Sequence, residues 1–312
     1  MSARAHQCYE HGRNDDLQSI CHMLAYFLLG KLPWQGLNLQ PHENRHAKTS
    51  ALKRRHQTSL LHSYPNFQFL YNYTLSLSHD ADPDYKLMKE TILGDTDFDS
   101  LTFDWIVQER PTHDIYSSLH RSQEKPETNE QTLINQNPIR IATPKARRSI
   151  LPRISERFLN TKISDLNLMS KIHVSTFSTV FLARNHQNDQ FAVKAVKPPE
   201  SDCLKAEYDI YLNKLSGCKF VPQIYDYFDR KNMSYLVMQL CGINLLEVFE
   251  RKCNKKFSSR CLQKIAFLIT EIINEIHNQN LIYNNICPEN FVISFIDVDP
   301  FIQIVDFQHA KE

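Results

Sequence analysis

LIYNNICPENFV (Leu281–Val292) and, shortly after it, IVDF (Ile304–Phe307) decide how this chain reads. The first is a polar turn and a proline, with Glu289-Asn290 leading into an apolar strand; the second is a strand ending in Asp306-Phe307. In front of them, SSRCLQKIAFLITEIINEIHNQN (258–280) is the strongest helical pattern present. Its apolar stripe is Leu262, Ile265, Ala266, Ile269, Ile272, Ile273 and Ile276, with Ser258 or Ser259 as N-cap. Upstream, LNLMSKI, STVFLAR and QFAVKAV alternate apolar and polar residues over 162–197, which predicts three antiparallel strands. A helix over 202–215 and the strands VPQIYDYF and YLVMQL follow.

The quoted loop resembles the catalytic loop of protein kinases, H-R-D-x-K-P-x-N, and the turn resembles their D-F-G. Tyr283, Asn284 and Asn285 stand at H-R-D, Cys287 at the lysine and Gln308 at the glycine, while Asn290, Asp306 and Phe307 are kept. Two further stretches narrow the resemblance to the casein kinase 1 family. GRNDDLQSICHMLAYFLLGKLPWQGL (12–37) looks like that family's S-R-R-D-D-L-E-S-L-G-Y…G-x-L-P-W-Q-G-L, and VMQLCGINLLEVFE (237–250) looks like V-M-E-L-L-G-P-S-L-E-D-L-F. YPNFQFLYNYTLSL (64–77), DPDYKLM (82–88) and FDW (103–105) resemble its late C-lobe helices, in order.

The resemblance implies an α+β protein-kinase-like fold with its parts in inverted order. Residues 1–106 look like a C-lobe segment, and 161–312 like the N-lobe, hinge and catalytic loop. Residues 107–160 are polar and proline-punctuated, as expected of a disordered linker. Within them PKARR (144–148) reads as a solvated charge run, or else as a nuclear address or phosphate patch. Two architectures follow: a permuted kinase folding on itself, or two partial kinase domains in a tandem-array fragment or incomplete gene model. The helix over 16–29, capped by Asp15 or Asp16 and closed by Gly30, has a broad apolar face that needs a cover, as does the stripe on 262–276. Self-association of complementary halves is therefore expected. In a single kinase, Asp16 would accept hydrogen bonds from the backbone around Tyr283 and Asn284, because a buried loop's N–H groups need an acceptor.

By the same resemblance, Lys194 is the strand lysine that meets nucleotide phosphates and Glu207 its helix partner. Ile172, Val180, Ala192 and Val292 would enclose an adenine ring. Met238 would be the gatekeeper, and the backbones of Gln239 and Cys241 the adenine edge. Asn290 and Asp306 are oxygen ligands suited to magnesium, a hard cation. Three departures point away from catalysis. His173, Ser175 and Ser178 replace the phosphate loop's glycines, whose bare backbone lets N–H groups approach phosphates. Asn285 lacks the basicity of the aspartate that receives the substrate proton. Cys287 lacks the lysine's charge.

The expected function is that of a casein kinase 1-like pseudokinase, binding ATP and magnesium weakly or not at all and acting by scaffolding a protein partner. The alternatives are an active Ser/Thr kinase with a protein substrate, and a non-functional gene fragment. With a net charge of +1 over 312 residues, no strong field argues for nucleic acid or a membrane. Eight cysteines without C-x-x-C spacing suggest reduced thiols in a cytoplasmic or nuclear protein. MSARAHQ has no apolar signal core, and the run from Met23 to Gly30 is too short to span a bilayer.

Overall fold

A computed structural model describes residues 1–7, 10–38, 44–106, 162–163, 165–230, 232–296 and 299–312. The predicted linker and its PKARR cluster lie outside the described residues. The longer helices are α1 (Arg13–Leu29), α2 (Arg45–Arg55), α3 (Pro65–Ser76), α4 (Tyr85–Leu93), α5 (Ser201–Asn213) and α6 (Ser259–Asn278). The strands are β1 (Lys162–Ile163), β2 (Leu166–Val174), β3 (Ser178–Arg184), β4 (Gln190–Val196), β5 (Ile224–Asp229), β6 (Ser234–Gln239), β7 (Phe291–Ile296) and β8 (Asp299–Ile304).

Strands β1 to β6 form one antiparallel sheet in the order β1-β2-β3-β4-β6-β5. The strand period of two sorts β4. Ala192 and Val196 join the main core, and Lys194 lines the cleft between them. Val193 and Ala195 point to the other face and pack with Leu168, Phe181 and Val237 in a small second cluster. On α5, Leu204, Glu207 and Tyr211 share the buried face at helical spacing.

Helix α6 carries the larger core. All seven residues of its predicted stripe are buried, and Ser258 Oγ accepts the Cys261 N–H at 3.1 Å as N-cap. The buried side of α1, including Leu17, Ile20, Leu24 and Phe27, belongs to the same core as this stripe. Residues far apart in the chain are thus close in space. Ser258 donates its N–H and its hydroxyl to the two carboxylate oxygens of Asp104, each at 2.6 Å, and Lys264 Nζ reaches Leu101 O at 2.7 Å.

Helix α1 starts earlier than its apolar pattern suggests, and neither predicted aspartate caps it. Its N-cap is Gly12, whose N–H donates to Asp15 Oδ2 at 2.9 Å, three residues into the helix. An N-cap side chain accepts N–H groups of the turn that follows it, whereas both aspartates already lie inside that first turn, and Asp15 instead reaches back to the Gly12 N–H. Gly30 closes the helix at φ 72°, a left-handed conformation that glycine adopts without a Cβ penalty.

Candidate functional site

The cleft sits where the sheet meets the β7–β8 hairpin. Val305 N–H donates to Asn290 O at 3.0 Å, which sets Asn290 and Asp306 side by side at the hairpin's mouth. The cavity measures about 380 Å³, and every residue assigned from the sequence to a nucleotide or metal position lines it, as does Asn285 at the base position, whereas Cys287 lines a second cavity. That volume is within the roughly 300–1,000 Å³ of small-molecule pockets. Ile172, Val180 and Ala192 come from the sheet and Val292 from the hairpin. Met238 ends the buried run of β6, and Cys241 lies just past the last β4–β6 pair, Phe191–Gln239.

At the polar end, Lys194 Nζ lies 2.6 Å from Glu207 Oε2 and 2.5 Å from Asp306 Oδ1. Burial works against the ammonium, but Glu207 and Asp306 outweigh it and raise its pKa. Glu207 is fully buried; burial pushes its carboxyl up, while Lys194 and the Phe307 N–H, 3.2 Å from Oε1, hold it down. Asn285 Nδ2 donates to Asp306 Oδ2 at 3.0 Å. Both carboxylate oxygens of Asp306 therefore already meet protein donors. Asn290 Nδ2 in turn donates to Asn285 O at 3.0 Å.

Behind these groups, the Phe307 ring packs edge-on against Tyr211 at 5.0 Å and Tyr283 at 5.1 Å. Tyr283 Oη donates to Val305 O at 2.5 Å, so the residue at the histidine position anchors the turn. Asp16 lies beneath the loop. Its Oδ2 accepts Tyr283 N–H at 2.7 Å and meets His277 Nε2 at 3.0 Å, and its Oδ1 accepts Asn284 N–H at 2.9 Å. His277 Nδ1 contacts the Tyr85 hydroxyl, so the network joins α4, α1 and α6. Burial, and after it Glu289, pushes the Cys287 thiol up to about 12; as a thiol or as a thiolate, a cysteine supplies no cation.

The turn between β2 and β3 is closed on itself. Ser175 Oγ accepts the Ser178 N–H at 3.0 Å and the Phe177 N–H at 3.3 Å, and Ser175 N–H pairs with Ser178 O at 2.9 Å. The sequence identifies the missing glycines, but it gives no sign that a serine hydroxyl occupies the freed donors. No residue from 173 to 178 has positive φ, so the turn takes a shape that side chains tolerate. Within the turn the Ser175, Phe177 and Ser178 N–H groups are engaged, and Asp306 is held by Lys194 and Asn285. Among the described residues, no group of three or more His, Cys, Asp or Glu side chains is placed to hold a metal.

Sequence reasoning also missed Lys53, which is buried beside a second cavity of about 330 Å³ with its ammonium 3.0 Å from His6 Nε2. Burial lowers its pKa to about 8. The surrounding KRR run reads as surface charge, so no periodic signal marks it. Among the described residues no helix is long and apolar enough to cross a membrane.

Residues 166–312 match the protein kinase domain family. A probable casein kinase I homolog of Encephalitozoon cuniculi is 29% identical over 159 residues, covering 49% of this chain and 51% of that protein. Casein kinase I homolog 2 of Schizosaccharomyces pombe is 34% identical over 113 residues, 34% of this chain and 26% of that protein. Casein kinase I homolog 3 of Saccharomyces cerevisiae is 34% identical over 146 residues, 46% of this chain and 27% of that protein. The chain spans about half or less of the length of these relatives. The fold is α+β and protein-kinase-like.

Proposed function

We propose that this casein kinase 1-like protein kinase homologue is a pseudokinase, its two segments folding as one permuted domain that acts by binding a protein partner. One observation carries the reading: Asn285 donates its amide to Asp306. An active kinase needs at that position a base that accepts the proton of the substrate hydroxyl. An amide nitrogen has no available lone pair, and here one of its two hydrogens is committed to the neighbouring carboxylate. A general base contributes typically 10²–10⁴-fold, so its loss alone removes most turnover. The neutral Cys287 thiol adds to the deficit, because no cation offsets charge on a phosphoryl group in flight.

The permuted arrangement is supported by the shared core of α1 and α6 and by the three groups that meet Asp16. Two unrelated partial domains would have no reason to complete each other's buried loop. Scaffolding fits a cleft whose Lys194, Glu207 and Phe307 are in contact, since a rigid kinase shape is what a partner would read. By composition the place of action is the cytoplasm or nucleus, with no nucleic acid or membrane partner.

Purified protein given magnesium–ATP and casein, or an acidic peptide, is expected to transfer no phosphate above background. Asn285→Asp is expected not to restore transfer, because Cys287 and the closed β2–β3 turn remain. Transfer by the unmutated protein that Lys194→Ala abolishes would overturn the reading in favour of an active Ser/Thr kinase.

A further inference from the structure

We infer that the cleft is a metal-independent site for an uncharged purine nucleoside and selects against the phosphate tail and its magnesium. The inference rests on the non-catalytic reading of the same cleft and adds what that cleft binds. Three observations at its polar end point one way. First, Ser175 Oγ already holds the Phe177 and Ser178 N–H groups, so these donors are not free for a phosphate. Second, Asp306 gives one oxygen to Lys194 and the other to Asn285, and a magnesium ion would have to compete with both. Third, the lining is acidic. Glu207, Glu247, Glu289 and Asp306 face it, against Lys194 and the two histidines His173 and His309, with no other lysine or arginine among the described lining residues. That lysine is already shared by two carboxylates. A triphosphate would thus enter a lining with four carboxylates whose lysine is already taken, at a cost that grows as water is excluded.

The other end of the cleft has the opposite character. Val180 and Ala192 on one side and Val292 on the other leave an apolar slot bounded by the backbone of Gln239 to Cys241. A flat heteroaromatic base has apolar faces and a polar edge, and this slot offers both. Glu247 and Glu289 at the lining suit the hydroxyls of a ribose, which donate hydrogen bonds to carboxylates. A neutral nucleoside meets every part of the site without opposing its charge.

The test is calorimetry on the full chain with adenosine, with ATP in EDTA, and with ATP and magnesium, alongside the phosphotransfer assay. Adenosine is expected to bind equally with and without magnesium, and ATP in EDTA about tenfold or more weakly, with magnesium recovering no more than about threefold. Ser175→Gly combined with Asn285→Ala frees the turn donors and one oxygen of Asp306, and is expected to move the preference toward magnesium–ATP. Magnesium–ATP bound about tenfold more tightly than adenosine by the unmutated protein would overturn the inference. So would a folded protein that binds neither ligand, and in that case absent phosphotransfer would leave the pseudokinase reading standing.

Discussion

Asp16→Ala is expected to destabilise the protein by about 3–5 kcal/mol, since each buried donor left without an acceptor costs about 1–3 kcal/mol. Asp16 serves three donors, from Tyr283 N–H, Asn284 N–H and His277 Nε2, and is itself buried at 2% exposure. The loop it supports cannot turn elsewhere: Tyr283 is buried against Phe307, and Asn284 sits at φ 65° with its side chain held by His11 and the His309 carbonyl. Water does not readily replace the carboxylate in that setting. Asp16→Asn keeps one oxygen but turns an NH₂ toward donors, so a smaller loss is expected, about half. Urea unfolding of the three proteins measures this. A loss below about 1 kcal/mol for Asp16→Ala would mean that the first segment does not support the loop, which would sink the permuted domain.

How far the sequence foretells the site depends on whether a residue's role is set by its neighbours in the chain or by partners in space. Lys194 and Glu207 are readable because strand alternation and helical spacing alone aim them inward. Asp16 is readable as the loop's acceptor only through the motif around it; by its own pattern it is one of two acidic residues near a helix start, where a cap is the ordinary reading. The loss of a base at position 285 is plain in the sequence. That the amide then turns to Asp306 is not, because it depends on a hairpin mouth formed by residues far along the chain. The same holds for Ser175, whose effect comes from a tight turn that periodicity does not report. Helix α2 went unread because its run of basic residues carries no apolar stripe.

Lys194→Met should be as damaging as the loss of Asp16, and its damage should depend on pH. Removing one partner of a buried ion pair typically costs about 3–5 kcal/mol, because the other charge is left without compensation. Here the stranded charge is Glu207, fully buried and already raised by burial from the ordinary carboxyl value of 4.5, with Lys194 as the main influence opposing that rise. Without the lysine the carboxyl is raised further, and the folded form keeps a proton that the unfolded chain releases above 4.5. Stability of the variant therefore falls as pH rises from the unfolded value toward the folded one, and the penalty shrinks in acid. Urea midpoints at about pH 5 and about pH 7 are expected to show the smaller loss at the lower pH. Adding Glu207→Gln to Lys194→Met removes the stranded charge and keeps a carbonyl oxygen for the Phe307 N–H, so it should recover much of the loss. An equal loss at both pH values, or no recovery in the double variant, would show that Lys194 does not hold Glu207 in its charged form. The closed contact between sheet, helix α5 and the Asp306 turn would then need another cause than charge.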